Sequence, residues 1–193
     1  MGKIYIALIS LLAVANSFAA GINQSAFISD MGLYAQTESE WCWAASTETI
    51  SRMMGAQKSQ CKMASRFIKG QPGEFCCNAA NGASAACNQP YYLDKALDHY
   101  KMLDHVYENQ ISQLNIIQDL RRRYPVGVRI GWDGGGGHFL VLYGATYVGK
   151  NQTISLWNPL PIGKGDKQIV ARSGLVRYKN AGTWTHSYTM KKL

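Results

Sequence analysis

An α+β domain is the fold class that the sequence predicts, on three observations. Before residue 126, apolar residues recur at three- and four-residue steps, the period of helices buried along one face. From Val126 onward the pattern changes to alternation and short continuous apolar runs, which are the signatures of strands. The helical segments precede the strands instead of alternating with them, and that order argues against a parallel sheet built from strand–helix–strand units.

Taken in order, the chain opens with Lys3, an apolar run over 4–14 and then Ser17-Phe18-Ala19, small residues at alternate positions that suit cleavage after Ala19. Residues 1–19 therefore read as a secretory signal peptide, its apolar run being too short to span a bilayer. The domain is expected to occupy 20–193, a length suited to one substantial core. The protein is expected to be secreted or periplasmic, with no stable membrane insertion once the segment is removed, and to act as a monomer.

The first helix is expected over 42–54, where Trp43, Thr47, Ile50 and Met54 share a face and Gly55 ends the segment. A short helix fits 61–68. Residues 70–90 are rich in Gly, Ala, Asn and Gln and read as a long loop. Helices follow over 91–100, with Leu93, Ala96, Leu97 and Tyr100 on one side, and over 113–124, with Leu114, Ile117, Leu120 and Tyr124 as the stripe and Pro125 closing it. Strands are expected over 126–132, 139–143, 153–157, 168–178 and 183–190, with a turn at 133–137.

Composition narrows the partners. The formal net charge is +8, yet the dense basic runs Arg121-Arg122-Arg123 and Lys191-Lys192 lack the interleaved aromatics of a base-stacking surface. A solvated basic face is expected, and no nucleic-acid partner. Five cysteines in an exported chain leave one odd. Cys61, Cys76, Cys77 and Cys87 cluster and are expected to form two disulfides, with Cys42 free. Adjacent Cys76 and Cys77 are a poor pair because consecutive Cβ atoms point apart, and the two remaining pairings stay open. Zinc is the competing reading of the cluster, but it contains no C-x-x-C spacing and no nearby histidine, so no metal is expected.

Chemistry concentrates at four positions. Cys42 heads the first helix, where unsatisfied N–H groups and the helix dipole favour thiolate, and an unpaired cysteine in an oxidising compartment has a reason to exist if it is a nucleophile. Gln36, six residues earlier, carries an amide able to donate to an oxyanion formed beside the sulfur. The glycine run 134–137 ends at His138, and glycines let a substrate pass close to a general base. Asn158 ends a strand one connection later, so in an antiparallel sheet its amide oxygen can accept from the His138 imidazole. Asp166, in a Gly- and Lys-rich loop, is the weaker candidate for that place.

With those residues in that order, the chain resembles the papain-like cysteine proteases. Trp41-Cys42-Trp43-Ala44-Ala45, Gly136-Gly137-His138-Phe139 and Gly182-Thr183-Trp184 look most like the compact bacterial branch of avirulence-effector and staphopain type. The resemblance runs from about Gln36 to Met190. It implies two lobes, a helical one carrying Cys42 and an antiparallel sheet carrying His138 and Asn158, with an extended peptide bound between them. It also implies an oxyanion hole formed by Gln36 and the backbone N–H of Cys42, hydrolysis of a protein or peptide substrate through a thioester, and no cofactor. Two features depart from the plant-type pattern. Pro159 follows Asn158 where those members have tryptophan, and the loop over 70–88 has no familiar counterpart. The same triad also serves acyl transfer to an amine or cleavage of peptidoglycan cross-links, and the fold can persist as a silent binding module.

Overall fold

The structure is a computed structural model and describes residues 23–30, 32–71, 73–78 and 84–193; the proposed signal peptide lies outside them. Strand β1 (Asn23–Phe27) comes first. Helices α1 (Cys42–Met53) and α2 (Gln60–Phe67) follow, then a 3-10 turn (Phe75–Cys77), α3 (Leu93–His99), β2 (Leu103–Tyr107) and α4 (Gln113–Arg121). The remainder is β3 (Val126–Trp132), β4 (Gly137–Val148), β5 (Asn151–Asn158), β6 (Asp166–Ala171), α5 (Arg172–Val176), β7 (Arg177–Tyr178) and β8 (Gly182–Met190).

All strand pairings are antiparallel, in the order β2-β8-β3-β4-β5-β6, with β1 added along the far half of β4 and β7 paired to β8. A long β4 serves both β3 and β5, because its apolar run is buried on both faces from His138 to Leu142. Helix α1 packs against β4, α2 and α3, while α4 covers β1 and β4.

Helix α1 departs from the single apolar stripe read from its sequence. Every residue from Trp43 to Ser51 is buried, along with Met53. Small and hydroxyl side chains make this tolerable, and three of the four buried hydroxyls have partners, Ser46 Oγ having none among the described residues. Thr47 Oγ1 donates to Trp43 O at 2.8 Å, Ser51 Oγ donates to Glu48 O at 2.8 Å, and Thr49 Oγ1 accepts from Tyr34 N–H at 3.1 Å. Helix α1 is thus a central element rather than a surface one.

Four further boundaries differ from expectation. The fourth helix ends at Arg121, and Arg123 (φ 64°) turns left-handed before Pro125. Its start is capped by Ser112 Oγ, which accepts from Asn115 N–H. Residues 168–178 are not one strand: α5 interrupts them, and β7 then pairs with β8. Strands β1 and β2 lie where the sequence predicts no element, and tertiary pairing creates both. Their partners are β4 and β8, far away in the sequence.

The four clustered cysteines are paired as Cys61–Cys77 and Cys76–Cys87, which resolves the choice between two connectivities. With all four sulfurs in disulfides, no thiolate remains there for zinc. Cys42 is free. Among the described residues no helix is long and apolar enough to cross a membrane.

Candidate active site

Cys42 is the first residue of α1, held between two buried tryptophans. Trp41 Nε1 donates to Cys87 O at 2.9 Å and Trp43 Nε1 donates to Gln89 O at 3.1 Å. Each indole satisfies its one donor on the loop that the Cys76–Cys87 disulfide closes. The two tryptophans thereby fix both the helix start and the wall beyond it.

The thiol faces the sheet at Phe139, which lines one cavity with it and whose backbone N–H favours its anion. His138, the preceding residue, is buried with 4% of its surface exposed. It is the second residue of β4, within the strand rather than at its mouth, and pairs across β3 with Ile130. The β4–β5 register, Val141 opposite Trp157, makes His138 and Asn158 diagonal neighbours on one face. Their side chains meet: His138 Nε2 lies 2.7 Å from Asn158 Oδ1.

The hydrogen bonds around Asn158 decide the tautomer of His138. Leu160 N–H also points at Asn158 Oδ1, at 3.0 Å, so that atom must be the amide oxygen. Nε2 of the imidazole is therefore the protonated nitrogen, and Nδ1 is left with its lone pair free to accept a proton. The other half of the amide, Asn158 Nδ2, faces Tyr178 Oη at 3.5 Å, and that phenol donates to Gln168 Oε1 at 3.0 Å. Asp166, the weaker candidate for the third place, is not on His138. It accepts from Gln168 Nε2 at 2.6 Å, at the far end of the same chain of hydrogen bonds.

Trp132 and Tyr178 bring aromatic rings to the His138 side of the sheet. The Trp132 ring stacks on His138, with centroids 6.2 Å apart and planes 19° from parallel, and its other neighbour is Tyr178 at 6.1 Å. Neither was picked out from the sequence. Trp132 could have been: a hairpin turning at 133–136 puts 132 and 138 diagonally opposite on one face. Tyr178 carried no such signal, because it arrives through β7 after the unforeseen α5.

Gln36 is buried beside this site, but its amide is not free. Both of its N–H groups are used, one donating to Glu38 O and one to Ser39 O, each at 2.8 Å, while Oε1 is buried without a partner among the described residues. The expected free N–H donor is therefore occupied by the turn that leads into α1. Its backbone is tied to the loop after Asn158, through Gln36 N–H to Pro159 O and Gly163 N–H to Gln36 O.

Electrostatics correct the expectation of a resting thiolate. Burial pushes the Cys42 thiol up to about 11, and Glu40 adds to the rise, outweighing the N–H groups of Phe139 and Trp43 that favour the anion. Burial also lowers the His138 pKa below its usual 6.5, against the raising effect of Asn158, and Lys179 lowers it further. Both directions favour the uncharged forms, thiol and neutral imidazole.

The helical lobe with its heading cysteine, and the antiparallel sheet with its histidine and asparagine, make a papain-like α+β fold. A structure from the comparison of the mite allergens Blo t 1 and Der p 1 shares it at 11% identity and a TM-score of 0.50, over 96% of this chain and 75% of the mite chain. The digestive procathepsin L 3 of Tenebrio molitor larval midgut aligns at 13% identity and a TM-score of 0.45, over 94% of this chain and 73% of the other. No curated protein matches the chain. By sequence the chain belongs to the Peptidase_C39 like family, whose profile matches residues 28–188. Family and fold together assign it to the cysteine peptidases, whose substrates are peptides.

Proposed function

We propose that the protein is an exported cysteine peptidase that hydrolyses peptide bonds with Cys42 as nucleophile, His138 as general base and acid, and Asn158 as the residue that orients His138. The observation that carries this reading is the doubly accepting Asn158 Oδ1. It commits His138 Nε2 to donation and leaves Nδ1 as a base, on the residue next to Phe139, which lines one cavity with Cys42.

Since burial favours the neutral pair, the proton leaves Cys42 as its sulfur attacks. Sγ forms a bond to the substrate carbonyl carbon while its proton passes to His138 Nδ1. The resulting oxyanion is met by the backbone N–H of Cys42 and, once one of its N–H groups leaves the carbonyl of Glu38 or Ser39, by Gln36. The C–N bond breaks, the amine takes the proton from Nδ1, and a thioester remains on Cys42. Water then attacks that carbonyl, gives its proton to Nδ1, and the sulfur departs and recovers it. Trp132 keeps bulk water from the imidazole throughout.

Two disulfides support an oxidising compartment, in line with removal of 1–19 on export. The three tryptophan- and glycine-marked motifs support a place in the compact bacterial branch. The test is incubation of wild-type protein and Cys42→Ala with casein, purified peptidoglycan and a labelled amine plus peptide. Release of new peptide ends from casein by wild-type protein alone is expected. Activity confined to peptidoglycan or to amine transfer would move the same site to another acyl chemistry, and equal activity of Cys42→Ala would remove the assignment.

A further inference from the structure

A cavity of about 300 Å³ opens beside Cys42, with Phe139 at its inner end, Tyr91 and Tyr92 on the helical side and Arg129 on the sheet side. Four of its lining residues are aromatic, Trp43, Tyr91, Tyr92 and Phe139, so a guanidinium beside those rings calls for a reason. Arg129 belongs to none of the ion pairs among the described residues. Among the described residues no carboxylate stands within ion-pair distance of its charge.

The guanidinium is nevertheless held in place. Nη1 donates to Thr185 Oγ1 at 3.1 Å, and that hydroxyl donates back to Arg129 O at 3.2 Å. Nη2 donates to Gly136 O at 3.1 Å. Below it lie Gly131 and Gly137, which face each other across β3 and β4. A Cβ on Gly131 would come within 3.1 Å of Nη1, and one on Gly137 within 2.7 to 2.9 Å of Nη2, Cζ and Nε. A side chain on Gly137 would press on the guanidinium itself, and one on Gly131 on Thr185 Cγ2, 3.0 Å away, as well as on Nη1, so glycine at the two positions leaves the guanidinium room to lie there. The remaining donors of its fork are not used by these bonds.

A fixed, unpaired arginine with spare donors next to a nucleophile recognises a carboxylate, for which its planar fork is suited. We propose that Arg129 selects substrates carrying an acidic side chain, glutamate or aspartate, at one position close to the scissile bond, with Tyr91 and Tyr92 covering the methylene stem. Glu40 also lines the cavity but is exposed to solvent, so water screens its repulsion of such a side chain more than it screens the seated guanidinium. This inference rests on the peptidase reading, and it explains why the glycine run before His138 includes Gly137.

The test uses acetylated, amidated peptides in which a single Glu, Gln or Lys is walked along a neutral background, so that the side chain is the only carboxylate. Hydrolysis is measured with wild-type protein, and binding by fluorescence anisotropy with Cys42→Ala, which reports recognition whether or not the peptide is cut. Glu is expected to exceed Gln by about 10- to 100-fold at one position, the scale of one charge-assisted hydrogen bond. Arg129→Gln should abolish that ratio and Arg129→Lys keep part of it, while cleavage of the neutral peptide changes little. Arg129→Glu should turn the preference toward Lys. A Glu-to-Gln ratio near one at every position, or a preference that survives in Arg129→Gln, would overturn the proposal. Glu-selective binding with no cleavage would instead remove the peptidase reading and leave Arg129 as a carboxylate reader.

Discussion

The two sides of the cleft are held by different means. On the sheet side, His138, Asn158 and Trp132 take their places from strand register alone, as diagonal neighbours across β3, β4 and β5. On the helical side, Cys42 depends on two indole hydrogen bonds to the loop at Cys87 and Gln89, and on the disulfides that order that loop. A backbone ladder forms wherever the protein folds, whereas the disulfide-closed wall needs an oxidising compartment as well. The difference teaches that the proposed base is built into the sheet, and that the setting of the proposed nucleophile is completed by oxidation.

The largest expected effect lies on the sheet side. His138→Ala should lower kcat/KM by about 100- to 10,000-fold, the range of a lost general acid–base group, while circular dichroism and both disulfides stay unchanged. A change of less than tenfold would mean that register places the wrong side chain at the sulfur. Next comes the helical side. Replacing Cys76 and Cys87 together by Ser should cost roughly 2 to 4 kcal/mol in denaturant unfolding. Hydrogen exchange should rise at the start of α1 and in residues 87–92 more than in β3, β4 and β5. Equal loosening of the sheet would erase the distinction between the two sides.

A pH series sharpens the comparison. The thiol is raised to about 11 by burial, so the thiolate is favoured only as pH rises, and the rate of Cys42 alkylation by iodoacetamide should climb through neutral pH and beyond pH 9. A rate already flat from about pH 5 upward would signal a preformed ion pair instead. The base has the opposite sign. Burial lowers the His138 pKa, so the imidazole stays neutral and able to accept a proton at pH values below 6.5. Trp132→Leu admits water, weakens that effect and should shift the acid limb of kcat/KM to higher pH, with a smaller loss of rate than either change above. An unmoved acid limb would show that the Trp132 ring does not shield the imidazole.

How much of this was legible in the sequence follows from how local each signal is. Helices α1 and α2, the β3–β4 hairpin and the His138–Asn158 pairing were all readable, because periodicity and hairpin register are short-range properties. Strands β1 and β2 were not, since Asn23–Phe27 and Leu103–Tyr107 are short, bury little of themselves and become strands only by pairing with distant β4 and β8. The break at Arg172–Val176 is marked only by the short interruption Arg172-Ser173-Gly174 between two apolar runs, too brief to separate two strands from one. The order of types Gln36, Cys42, His138 and Asn158 identified the site, but two properties required coordinates. One is the closed amide of Gln36, which depends on a turn two and three residues away. The other is the protonation state of Cys42, where helix-terminus reasoning favoured thiolate and burial by the opposing sheet reverses it.

The central claim is that a substrate acyl group passes through the sulfur of Cys42 with His138 as its proton partner. Mass spectrometry of an acid-quenched reaction with a slowly cleaved peptide ester tests it most directly. An acyl adduct on the tryptic peptide containing Cys42 is predicted, accumulating in Asn158→Ala, where deacylation by a poorly oriented His138 is slowed, and lacking in Cys42→Ala. Turnover that continues in Cys42→Ala, or an acyl group found on any other residue, would contradict the account.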